Sequence, residues 1–259
     1  MTTTMERTLF AILFTALAAT RLLPAAESMS VSPSEVTLRG DVGQTTTQTL
    51  SFTNNTSRSL SFAMIAQDAV VRDGKRSYVE AGTQPGSIAA TAAFSPNAFT
   101  AAPGETVSIN VTVTIPPRSA VRAVAIMCSG TTEFARGPMR MTASIGTLLT
   151  FALTGDEIAG TVSPLLIHLP TASSNFVAVQ QVANSGTEPI VASGMLVILN
   201  AAGALIGKQA IPGWRMLPGE QTDIRVQYDG NLASGRYQAL TTYDLTEKTL
   251  TSTAEFTVN

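Results

Sequence analysis

The chain has 259 residues, a net charge of −2, 44% hydrophobic residues and only 13% charged ones. That length suits one large domain or two of about 100–130 residues, each with its own core. No basic cluster occurs anywhere, which excludes recognition of a nucleic-acid backbone, and the single cysteine, Cys128, excludes an intramolecular disulfide.

In chain order the first feature is an export signal over residues 1–26. Arg7 and the free amine precede an apolar run from Leu9 to Ala19 that is too short to span a bilayer. Small residues at Ala16-Leu-Ala18 and Pro24-Ala-Ala26 offer two cleavage positions. No cysteine lies just after the run, and no later segment is apolar enough to cross a membrane. The mature chain is therefore expected in the periplasm or outside the cell, without a transmembrane anchor.

Beyond the signal almost every segment alternates polar and apolar residues between Gly, Pro, Asn or Ser. Thr47-Gln-Thr-Leu-Ser-Phe-Thr53 and Val107-Ser-Ile-Asn-Val-Thr-Val-Thr-Ile115 show the habit most clearly. Period-two strands of this length, separated by turn signals, indicate sandwiches. Cys128, in the apolar run Val124-Ala-Ile-Met-Cys128, reads as a small buried hydrophobe.

The strand pattern occurs twice. Pro103-Gly-Glu105 leads into Ile109, Val111 and Val113, and Pro218-Gly-Glu220 leads into Ile224, Val226 and Tyr228 at the same offsets. Upstream, Asn54 and Asn184 each close a strand before a polar turn, where an Asn side chain suits the connection. The shared order argues for two copies of one module. The fold class expected is all-β, two tandem immunoglobulin-like (PapD-like) sandwiches over residues 27–155 and 160–259. The first copy is about 15 residues longer between its Asn and its Pro-Gly pair, and Arg72-Asp-Gly-Lys75 reads as a hairpin turn in that extra segment.

Catalytic chemistry finds little footing. His168 is the only histidine, set in Leu165-Leu-Ile-His-Leu-Pro170, with no G-x-S-x-G elbow, C-x-x-C pair or H-E-x-x-H helix beside it. Asp68 and Asp73 flank the hairpin, and Asp156 and Glu157 sit in the connection between modules; none has calcium-loop spacing. Trp214 is expected to cover one end of the second core. The reading is a non-enzyme with no cofactor and no bound metal.

Met141-Thr-Ala-Ser-Ile-Gly-Thr-Leu-Leu-Thr-Phe-Ala-Leu153 stands out. Met141, Ala143, Ile145, Leu149, Phe151 and Leu153 would share one face of a strand roughly 40 Å long. Two readings are open: a long edge strand that pairs with a partner's strand, or two shorter strands broken at Gly146 and paired within the fold.

Ser30-Val-Ser-Pro33, Phe52-Thr-Asn54, the Ala102-Pro-Gly-Glu105 turn and this long final strand resemble the first domain of PapD-like periplasmic pilus chaperones. The resemblance implies that Met141–Leu153 lends a strand to a pilin-like subunit. It also implies a clamp on the subunit's terminal carboxylate, from an Arg in the first strand and a Lys in the last; here Glu35 stands nearest the first position, and Met141–Leu153 holds no Lys or Arg. Ala66-Gln-Asp68, Asp73-Gly74, Tyr78 and Ile145-Gly-Thr-Leu-Leu149 are similar to the first domain of WxL-interacting surface proteins. Val182-Ala-Asn184, Pro218-Gly219 and Gly235-Arg-Tyr237 are similar to the domain that follows it. The function expected is binding of another envelope or surface protein, as a chaperone or adaptor acting by strand pairing. The alternative is a structural or adhesive module that binds cell-wall polysaccharide or a host ligand.

Overall fold

In a computed structural model of the chain, residues 27–259 are described apart from 118–119, 132, 137–138 and 172–173. The expected export signal lies outside the described residues. The first sandwich contains β1 (Met29–Ser32), β2 (Glu35–Gly40), β3 (Thr45–Asn54), β4 (Leu60–Arg72), β5 (Lys75–Glu80) and β6 (Ala93–Ser95). It continues with β7 (Ala98–Ala101), β8 (Thr106–Thr114), β9 (Ala123–Gly130), β10 (Phe134–Arg136), β11 (Met139–Met141) and β12 (Ser144–Leu153). One sheet runs β1-β3-β8-β6 and the facing sheet β2-β12-β9-β4-β5, with β7 also on β4 and β10-β11 as a separate hairpin.

Alternation drives this assembly. On β3 and β8 one row of side chains turns inward, so Leu50, Phe52, Ile109 and Val111 are fully buried. Phe52, Phe62 and Phe99 meet with ring centroids 4.5–5.4 Å apart at the centre of that core. The opposite rows of β3 and β8 face outward and pair hydroxyl to hydroxyl: Thr45 with Thr114 (2.7 Å), Thr47 with Thr112 (2.8 Å) and Thr53 with Thr106 (2.9 Å).

The second sandwich contains β13 (Gly160–Val162), β14 (Leu166–His168), β15 (Phe176–Asn184), β16 (Ile190–Asn200), β17 (Leu205–Met216), β18 (Gln221–Tyr228), β19 (Gly235–Asp244) and β20 (Thr249–Val258). β15 pairs with β13, β14 and β18, and the facing sheet runs β17-β16-β19-β20. Phe176, Leu196, Ile198 and Tyr243 fill its core. Trp214 departs from expectation. It lies on β17, the edge strand of its sheet, opposite Ala192, and is 46% exposed.

The duplication has a common physical core. Asn54 is fully buried; its amide donates to the carbonyls of Arg58, Ala101 and Ala102, and its side-chain oxygen accepts from Thr56 N–H. Asn184 repeats this, donating to Glu188 and Met216 and accepting from Gly186 N–H. In both copies the backbone of the Asn pairs with the Pro-Gly-Glu turn, whose glutamate accepts from the N–H three residues earlier (Ala102, Leu217). Gly104 and Gly219 take φ of 76° and 77°, the left-handed conformation that the turn requires. Asn184→Ala would leave two buried carbonyls unpaired, so urea unfolding should show a loss of about 2–4 kcal/mol; a change below about 0.5 kcal/mol would refute the clamp.

The extra segment also follows local chemistry. Asp73 and Gly74 have φ of 51° and 73°, the pair of positive values of a type I′ hairpin. Asp68 was not legible as a core residue: it is fully buried, and its Oδ1 accepts from Ala89 N–H at 2.9 Å, tying the turn over Ala89–Thr91 to β4.

Candidate strand-pairing edge and groove

The structure corrects the long strand. The chain bends at Thr142-Ala143, so Met141 belongs to the β10-β11 hairpin, paired with Phe134, and β12 starts only at Ser144. Gly146 does not interrupt β12. It is held open for packing: a Cβ there would stand 2.3 Å from Met127 Sδ and 2.7 Å from the Ile126 carbonyl. Ala143 is half-buried beside the hairpin, and its carbonyl accepts from Gly130 N–H at 2.9 Å.

Ile145, Leu149, Phe151 and Leu153 do share one face, as their spacing predicts, but that face is turned into the protein's own core. Leu149 and Phe151 are fully buried, and Ile145 and Leu153 pack against the same cluster. Those side chains cannot fill a partner's pockets without leaving the core. β12 is also not an edge along its whole length. Leu148–Leu153 pairs in parallel with Glu35–Gly40 of β2, while Ser144–Thr150 pairs antiparallel with β9. The free edge is therefore Ser144–Thr147. Leu148 N–H donates to Ser34 O, and the two-residue alternation turns the backbone of Ser144 and Gly146 to the same side. β1 packs near β12 without forming a ladder with it, and Thr147 Oγ1 donates to Pro33 O at 2.8 Å.

This short edge borders a groove of about 430 Å³ on the outward face of the first sandwich, beside the angle between the two; all its lining residues belong to the first. Ala125, Met127, Gly146 and Leu148 form its floor, with Arg76, Tyr78 and Glu35 along its walls. Ile65, paired with Met127 on the neighbouring strand, is 46% exposed and extends the apolar floor.

The angle is set by contacts between the sandwiches. Leu217, in the second Pro-Gly turn, is buried against Ala69 and Ala123. Gln221 N–H donates to Gly74 O at the hairpin tip (2.9 Å). Arg76 Nη2 bonds Glu220 at 2.7 Å and also donates to Arg215 O. Burial opposes the Arg76 charge, but the Glu220 carboxylate outweighs it and holds the guanidinium protonated. Arg215 pairs with Glu35 at 2.5 Å, and Arg39 with Glu188 at 2.7 Å. The carboxylate clamp implied by the resemblance has no counterpart on β12; Arg76 of β5 lines the groove, Arg215 of β17 reaches its Glu35, and each already has a carboxylate partner.

Cys128 is buried beneath the floor, and burial pushes its thiol up to about 11. Folded protein at pH 8 should therefore leave the thiol unreacted with a disulfide reagent and yield one equivalent in urea; reaction at equal rates would contradict the burial. The linkage has a definite sign. A raised native pKa favours the neutral thiol, so this contribution is complete below about pH 9 and lost as pH rises toward 11. His168 is exposed at the end of β14, paired with Val177.

No protein-family model and no curated protein matches the chain. Solved structures similar to it include the class 5 fimbriae chaperone CfaA, at 11% identity and a TM-score of 0.48, over 87% of this chain and 98% of that one. The YadV chaperone is 12% identical with a TM-score of 0.43, over 88% and 99%. The E. coli chaperone DraB is 13% identical with a TM-score of 0.42, over 90% and 98%. The tandem of two β-sandwiches is read from the chain's own sheets. No helix among the described residues is long and apolar enough to cross a membrane.

Proposed function

We propose that the chain is an exported, non-catalytic envelope protein that holds a strand of another surface protein, such as a pilin-like subunit, as a chaperone or adaptor. The observation that carries this reading is the outward backbone of Ser144 and Gly146, which β2 leaves unpaired, beside a groove on the first sandwich floored by Ala125, Met127 and Leu148. A strand laid there gains main-chain bonds from β12 and apolar contact from the floor. The hairpin tip and ion pairs that fix the angle keep the groove's walls in place without the partner.

The test is site-specific photocrosslinking in the envelope, with a photoreactive residue at Ser144 or, as control, at Ser108 on the far sheet. The expected result is one stoichiometric adduct from Ser144 only, identified by mass spectrometry as a secreted β-rich subunit. Equal crosslinking from both sites, or none from Ser144, would overturn the reading.

A further inference from the structure

The sheet farthest from the groove carries a second surface of unusual chemistry. Every outward side chain of β3 and β8 is Thr, Ser or Asn, and Ser30, Ser32 and Ser95 continue the pattern onto β1 and β6. Ala93 is the one exception. None of these positions is ionisable and none is aromatic, although exposed sheet faces ordinarily interleave both signs of charge.

The hydroxyls are ordered by one another. The Thr–Thr pairs across β3 and β8, and Thr49 Oγ1 donating to Asn110 Oδ1 at 2.9 Å, fix the side chains of two adjacent strands in register. Threonine is stiff at χ1, so little rotamer entropy remains to be lost on binding. Each bridged pair spends one O–H on the bridge and keeps a second O–H and free lone pairs for a ligand. The pairs repeat about every 6.8 Å along the strands.

We propose that this face binds a neutral polysaccharide chain. Charge complementarity selects the class: a charged polymer would lose hydration against a surface offering no counter-charge, whereas a neutral glycan presents the same mixed donors and acceptors as the ladder. A protein partner would be expected to find Trp, Tyr or Arg anchors, and this face has none. The site is separate from the groove and does not rest on the strand-pairing reading.

The test is co-sedimentation of the mature chain with insoluble cellulose, curdlan and chitin in 0.5 M NaCl. Wild-type protein should pellet with at least one of them. Thr47→Val combined with Thr112→Val keeps shape and strand preference while deleting one hydroxyl bridge, and it should lower the bound fraction at least tenfold with an unchanged urea midpoint. Thr47→Ser with Thr112→Ser should retain binding. Three outcomes would overturn the proposal: no pelleting with any glycan in 0.5 M NaCl, equal pelleting of the valine variant, or a valine-sensitive self-association that accounts for the pellet without glycan. The valine variant should still give the Ser144 crosslink, which separates failure here from failure of the groove.

Discussion

Leu149→Lys should unfold the first sandwich, not merely disarm an edge. The sequence pattern alone makes Leu149 and Ile145 equivalent positions on a partner-facing strand, so a lysine at either would be expected to block capture and spare the fold. The structure separates them. Leu149 has no solvent exposure and its strand is paired on both sides, so a lysine there removes a packed side chain and buries an ammonium without a partner. Each of those terms runs to several kcal/mol, and together they should cost about 4 kcal/mol or more. Urea unfolding with domain-resolved hydrogen exchange is the measurement; a native midpoint would mean that this half of β12 is not in the core.

Ser144→Pro combined with Ile65→Lys should do the reverse, abolishing capture while the fold survives. Ser144 is exposed at the start of β12, where a proline is tolerated and removes an outward-facing donor. Ile65 is already 46% exposed, so its ammonium stays in water while the apolar floor is spoiled. With the photoreactive residue moved to Tyr78, on the groove wall and exposed, loss of the crosslinked adduct by tenfold or more at an unchanged urea midpoint is expected; adduct at wild-type yield would remove the groove from the mechanism.

The sandwiches were legible because β-sheet alternation and turn chemistry are local. The Pro-Gly-Glu turns, the two asparagines and the Asp73-Gly74 hairpin each act within a few residues of chain. What decides the site is not local. Whether Leu149 faces a partner or its own core depends on β2, more than 100 residues earlier, lying alongside it. Asp68 reads from the sequence only as flanking a hairpin, yet a turn some 20 residues later bonds to it. Arg76 and Arg215 meet only because the second sandwich folds back on the first, and no spacing in the sequence announces that. The exposure of Trp214 likewise follows from β17 lying at the edge of its sheet, a position no local pattern announces.

The place where β2 stops sets how long a visitor stays. Because β2 occupies the ladder from Leu148 onward, an incoming strand has only Ser144–Thr147, about 13 Å, to pair with. The outward-facing backbone of Ser144 and Gly146 gives at most about four hydrogen bonds, each worth about 0.5–1.5 kcal/mol net. After the entropy of association is charged against them, the edge alone holds a partner more weakly than about 10 μM. Residence is then short, and whatever the groove adds decides it. On the proposed reading, the shortness of this edge would let a bound strand leave by dissociation alone.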